Sequence, residues 1–228
     1  MEISLRNSRK SVSHYPVFRS LLIIAIVAVL PVRAGILDDL SAEDAKKVLA
    51  GNQVIVGEDL EGYPWPRVRL YQTVKATPRE VMAIFFDYNN AKSFVPNCEK
   101  SEISRKIDER THEVDYLVNI PIFPDEAYTV RNKLSGDPSR LSVQWKVLRA
   151  TSIEESEGDL VVEALGDGSV LRYTNLVKPS SKAAGLLKGI ALGQMKETVK
   201  AIVDQVMVAK KSGMEPQLER LDKALGRK

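Results

Sequence analysis

Side chains able to do acid–base, nucleophilic or metal chemistry are few in this 228-residue chain, and their spacing limits them further. Cys98 is the single cysteine, and His14 and His112 are the histidines. That supply excludes zinc sites built from several His or Cys ligands. His112 begins a run of strand character with no second titratable partner beside it. Glu154, Glu155, Glu157 and Asp159 crowd around Gly158. Paired carboxylates can do acid–base work, but four acids flanking a glycine predict a solvated hairpin. No serine stands in a Gly-x-Ser-x-Gly setting, and neither a P-loop nor Gly-x-Gly-x-x-Gly occurs. The sequence therefore assigns no catalytic residue, no metal site and no cofactor.

A second group of residues suits binding. Val114, Tyr116, Val118 and Ile120 alternate onto one face of a strand, as do Leu141, Val143, Trp145 and Val147. Tyr116 and Trp145 each offer an apolar body with one polar atom. Asn132, Gln144 and Arg172 interrupt strand-like runs. Turned inward, one of them would hold a ligand headgroup; turned outward, they are solvated. Alternation places Arg172 on the side of Val170 and Leu176. Between two strands lies Pro121-Ile122-Phe123-Pro124-Asp125-Glu126, a loop whose apolar side chains have something to cover.

The elements that must position these residues can be read in order. Residues 41–50 form a short helix capped by Ser41, and residues 53–60 and 67–76 form two strands. Thr77-Pro78-Arg79-Glu80 is a capping box with proline at the first helical position. A second short helix follows over residues 90–94. Six strand-like runs come next: 98–108, 111–120, 127–135, 141–150, 159–165 and 169–178. Short links between them argue for an antiparallel meander. Residues 181–211 form one long helix with Leu192, Met195, Val199, Ile202 and Val206 on one face. Gly185, Gly189 and Gly193 recur at four-residue spacing in its first half. They allow close packing against the sheet, or leave room for a ligand and soften the helix as a gate. Residues 215–225 form a polar helical tail with a thin Leu218, Leu221, Leu225 stripe, expected on the outside of the fold or extending away.

The first 34 residues read as a signal peptide. Arg6, Arg9, Lys10 and Arg19 precede an unbroken apolar run over residues 21–30, and Val32-Arg33-Ala34 offers a small-x-small cleavage pattern. The run is shorter than the ~20 residues that span a bilayer, and an uncleaved anchor is the competing reading. Cleavage after Ala34 removes those four basic residues and Arg33 against one acid, Glu2. The precursor's net charge of +3 is therefore partly a targeting feature, and nucleic acid is not an expected partner. A periplasmic or secreted domain follows, over residues 35–211, with residues 212–228 as its tail. One cysteine permits no internal disulfide.

The order helix, two strands, two short helices, six strands, long helix resembles the START-like helix-grip superfamily, also called SRPBCC or Bet v 1-like. The segment VKATPREVMAIFFDYNNAKSFV over residues 74–95 is similar to that superfamily's strand, Ser/Thr-Pro helix start and aromatic turn. Phe94-Val95-Pro96-Asn97-Cys98 resembles the Phe-x-Pro-x-Cys segment of its coenzyme-Q-binding branch. The resemblance implies an α+β fold in which a curved antiparallel sheet wraps the C-terminal helix and leaves an internal cavity. It implies a hydrophobic ligand: a lipid, an isoprenoid or quinone, or a sterol-like molecule. Cavity-wall residues would be Tyr116, Val118, Trp145, Arg172, Met195, Val199 and Ile202. Pro121, Ile122 and Phe123 match the position of a gate, with Gly185 and Gly189 at the softened helix start. A monomer touching membranes transiently during ligand exchange completes the expectation. Some members of the superfamily are cyclases or hydrolases, and a helical-tail interaction module with a filled core is a third reading.

Overall fold

The computed structural model describes residues 35–227 apart from 121–123 and 181–183; in the long C-terminal helix it describes side chains from residue 188 onward. The helices are α1 (Ala42–Leu49), α2 (Pro78–Phe85), α3 (Ala184–Ser212) and α4 (Glu215–Leu225). The strands are β1 (Val54–Glu58), β2 (Arg67–Val74), β3 (Cys98–Lys106), β4 (Thr111–Val118), β5 (Glu126–Asp137), β6 (Arg140–Ala150), β7 (Ile153–Leu165) and β8 (Gly168–Pro179). Short 3-10 turns cover Ile36–Asp39 and Tyr88–Ser93. The strands form one antiparallel sheet in the order β1-β2-β8-β7-β6-β5-β4-β3. This is the helix-grip α+β fold expected from the element order. The six-strand meander closes onto β2 through β8, so the two N-terminal strands extend its edge.

Local chemistry accounts for the elements. The Glu80 N–H donates to Thr77 Oγ1 at 3.3 Å and the Thr77 N–H donates to Glu80 Oε2 at 2.7 Å, closing the capping box of α2. Lys210, near the end of α3, donates to the same Glu80 oxygen at 3.1 Å and ties the two helices together. Gly136 turns β5 into β6 at φ 114°, where a Cβ would meet the Arg140 carbonyl oxygen at 2.2 Å. Only glycine fits there.

The inner face of the sheet carries the main core. Leu134, Leu141, Val143, Leu160, Val162 and Leu171 pack against Val81 and Met82 of α2 and Val199 and Val206 of α3. The tail helix α4 belongs to this core. Leu221 is fully buried, with Ala224 and Leu225 beside it. The Arg79 guanidinium grips the Asp222 carboxylate through two nitrogens. Arg110 donates to the carbonyls of Ala224 and Leu225 at 2.9 and 3.0 Å, two helix-end acceptors otherwise left open. The leucine stripe read from the sequence is therefore an inward face.

A second, smaller core lies on the outer face. Ile36 and Val48 cover Val54, Tyr71, Val161 and Val170. This outer core overturns one expectation and explains it. Arg172 does share a face with Val170 and Leu176, but that face is the outer one. A second correction concerns the acids around Gly158. They form no hairpin: β7 runs through Gly158 without a break from Ile153 to Leu165, and the turn lies earlier, at Thr151-Ser152.

Candidate ligand cavity

A cavity of about 300 Å³ lies between the sheet and the first half of α3. The sheet supplies Tyr116 and Val118 from β4, Tyr128, Val130 and Asn132 from β5, and Trp145 and Val147 from β6. Tyr173, Asn175 and Val177 of β8 continue that wall. The helix supplies Ile190, Ala191, Gln194, Met195, Thr198 and Ile202. Phe85 of α2 and Phe94, Val95 and Pro96 close one end.

One row across the sheet shapes the wall. Asn132 pairs with Trp145, Trp145 with Gly158, and Gly158 with Asn175. The Trp145 ring lies over Gly158, where a Cβ would come within 2.5 Å of the indole and 2.1 Å of the Thr174 carbonyl oxygen. The missing side chain lets the ring rest against the sheet. There it meets Tyr173 at 4.9 Å and Phe85 at 6.2 Å between ring centroids. Tyr116 and Tyr128 stack at 5.3 Å. Burial pushes the Tyr116 and Tyr128 phenols far above their ordinary range and that of Tyr173 up to about 12. All three are therefore neutral hydroxyls at physiological pH.

Glu126 is the one charged side chain among the described lining residues, and it is 4% exposed. The N–H groups of Thr151 and Ser152 donate to its Oε1 at 2.9 and 3.0 Å, and the Ser152 hydroxyl donates to Oε2. These donors compensate the buried charge. They also fasten the start of β5 to the β6–β7 turn.

Of the wall residues chosen from sequence, Tyr116, Val118, Trp145, Met195 and Ile202 line the cavity. Val199 does not; it is 1% exposed and fills core one helical turn away. Arg172 is on the opposite side of the sheet. It donates to Asp39 Oδ2 at 2.6 Å and to Asp159 Oδ2 at 3.0 Å. Burial pulls that guanidinium down, but Asp159 and Asp39 leave it above its ordinary value. Pro121, Ile122 and Phe123 lie outside the described residues. Gly185 falls in the first turn of α3. Gly189 and Gly193 are exposed, with open space where a Cβ would be, and neither is among the residues that line the cavity.

Asn132 points inward and Gln144 outward, which settles a choice the sequence left open. Tyr128, Tyr173, Gln194 and Glu126 were missed. The first two share the period-2 register of Val130 and Leu171, and that alternation was enough to find them. Gln194 carries no such signal, because a polar residue beside Met195 on a long helix reads as solvated. His112 packs against the rings of Phe86 and Tyr88, at 5.2 and 5.9 Å, and burial holds its imidazole below the usual value. Among the described residues no group of three or more His, Cys, Asp or Glu is placed to hold a metal ion.

Residues 74–204, more than half of the chain, match the family described as polyketide cyclase/dehydrase and lipid transport. The chain belongs to this family. No curated protein matches it in sequence. Solved structures share the fold of this polyketide cyclase and lipid transport member at low identity. A STAR-related lipid transfer protein from Xanthomonas axonopodis (fragment 25–204) superposes with a TM-score of 0.60 at 16% identity, over 68% of this chain and 93% of its own. Human STARD10 gives 0.55 at 9%, over 79% and 84%. The di-domain ARO/CYC StfQ from the steffimycin biosynthetic pathway gives 0.50 at 16%, over 63% and 45%. These likenesses establish the START-like helix grip.

Proposed function

We propose that this protein binds an apolar small molecule, such as a lipid, an isoprenoid or quinone, or a sterol-like compound, and sequesters or carries it. One observation carries the reading: a cavity of about 300 Å³, walled mainly by aromatic and aliphatic side chains, under the helix that the sheet grips. That volume is at the lower end of ligand pockets. Each Å² of apolar ligand surface removed from water contributes roughly 25 cal/mol, so the walls themselves drive uptake. The family's description, which includes lipid transport, supports this reading. The loop of residues 121–126 serves as gate and touches a membrane surface during exchange, and the softened start of α3 swings with it. The protein acts as an exported monomer, residues 1–34 being its signal peptide.

Native mass spectrometry of the purified chain after exposure to lipid extracts tests the binding. A bound apolar species is expected, and its displacement by Val147→Trp, which fills the cavity. Extracts that leave no bound species overturn the proposal. Export is tested separately by fractionating cells and sequencing the N-terminus, where a start at Gly35 in the extracytoplasmic fraction is expected. The family's description also names cyclase and dehydrase chemistry, which favours a second reading as a polyketide cyclase. Recovery of an added polyketide with its bonding changed selects that reading, and recovery unchanged selects carriage.

A further inference from the structure

Two carboxamides in the cavity wall have no partner among the described residues for their nitrogens. Asn132 faces the cavity from β5 and is 4% exposed; Gln194 faces it from α3. Asn132 Nδ2 and Gln194 Nε2 are both buried and donate to no described residue. A buried donor left unpaired is costly, and an occupant that brings an acceptor removes the cost. Charge in the wall narrows the class of occupant. Among the described lining residues there is no lysine or arginine, and the one carboxylate, Glu126, already accepts from two backbone N–H groups and the Ser152 hydroxyl. A carboxylate or phosphate on the bound molecule would be buried with no cation among those residues, which is strongly unfavourable.

We infer that the buried part of the bound molecule is uncharged and carries a carbonyl-type oxygen that accepts from the Asn132 carboxamide, with Gln194 as a second donor. The inference rests on the apolar-ligand reading and specifies its chemistry. It separates neutral ketones, quinones and esters from pure hydrocarbons on one side and from fatty-acid anions or phosphate headgroups on the other.

Three bicyclic probes test it: tetralin, 1-tetralone and 1-naphthoate, titrated against the purified chain freed of bound material. 1-Tetralone is expected to bind about tenfold tighter than tetralin and at least about tenfold tighter than 1-naphthoate. Its carbonyl stretch should move to lower frequency when bound. Asn132→Leu should bring the tetralone-to-tetralin ratio towards one and return the stretch, and Gln194→Leu should do so in part. Binding of tetralin by both variants shows that they fold. If Asn132→Leu does not fold, Gln194→Leu and the infrared shift in the unaltered chain decide. Equal affinity for tetralin and 1-tetralone, a preference that survives in both leucine variants, or tight binding of 1-naphthoate overturns the inference and leaves an apolar cavity. Failure of all three probes to bind overturns the inference and the apolar-ligand reading together.

Discussion

The inner face of the sheet is packed solid at one end and hollow at the other, although the same strands run through both. Toward the α4 end, β6 places Leu141 and Val143, β7 places Leu160 and Val162, and β8 places Leu171, all almost fully buried. Toward the other end the same strands place Trp145 and Val147, then Gly158 and Ser156, then Tyr173 and Asn175. The covering elements differ in the same sense. The second half of α3 brings Val206 and Ala209, backed by Leu221 and Leu225 of α4 and Val81 and Met82 of α2. The first half turns Ile190, Ala191, Gln194, Met195 and Thr198 toward the cavity, while Gly189 and Gly193 are exposed. Three helices close the solid end, whereas α3 roofs the cavity with small and polar side chains, Ala191, Gln194 and Thr198, among its apolar ones. Hollowness thus arises from what covers the sheet. Alternation along the strands is the same at both ends.

Truncation should separate the two ends most clearly. Leu141→Ala removes packed side chain and is expected to cost about 3 kcal/mol in denaturant unfolding. Val118→Ala, which removes atoms already facing the cavity, should cost under about 1 kcal/mol. Comparable costs would mean that the hollow end is filled. Gly158→Ala comes next, at about 2 kcal/mol, because its Cβ meets the Thr174 carbonyl and displaces the Trp145 ring. Ligand retention should fall with it, and an unchanged Trp145 fluorescence spectrum would contradict the proposed seat.

Smaller effects sharpen the comparison. Gly189→Ala and Gly193→Ala add side chains into open space on a helix and should each raise stability by about 0.8–1 kcal/mol. If the softness of this segment admits ligand, the double variant will also release bound molecules more slowly. The smallest effect is that of His112, which packs on Phe86 and Tyr88 and pairs across the sheet with Asn132. Burial lowers its folded pKa below the ordinary 6.5, so the unfolded chain takes up the proton first as pH falls. Its contribution is therefore complete above about pH 6.5 and is lost as pH falls through the folded value. His112→Phe should flatten that part of the stability profile between pH 7 and 5, measured by denaturation midpoints.

Much of the fold was legible in residue order. Thr77-Pro78-Arg79-Glu80 specifies a helix start through its own side chains, with no help from the rest of the chain. Short turns, including the one at Gly136, dictate a meander, and Tyr116 and Val118 alternate onto the cavity wall as their spacing requires. The α3 stripe was found for the same reason, although it merges core and cavity: Val199 and Met195 look alike in a periodicity and differ in what stands opposite. Arg172 shows the limit for strands. Period two states which residues share a face, but here both faces are partly buried, because Ile36 and Val48 cover the outer one.

Local sequence therefore determined the elements, their order and their face-sharing, since caps, turns and alternation act over a few residues. Tertiary structure decided which face is inner, that Gly158 seats a tryptophan where a turn was expected, and that α4 completes the core. It also decided where the cavity lies. Those outcomes depend on contacts between residues far apart in the chain, such as Arg79 with Asp222 and Trp145 with Tyr173, and a space left unfilled has no residue of its own to announce it.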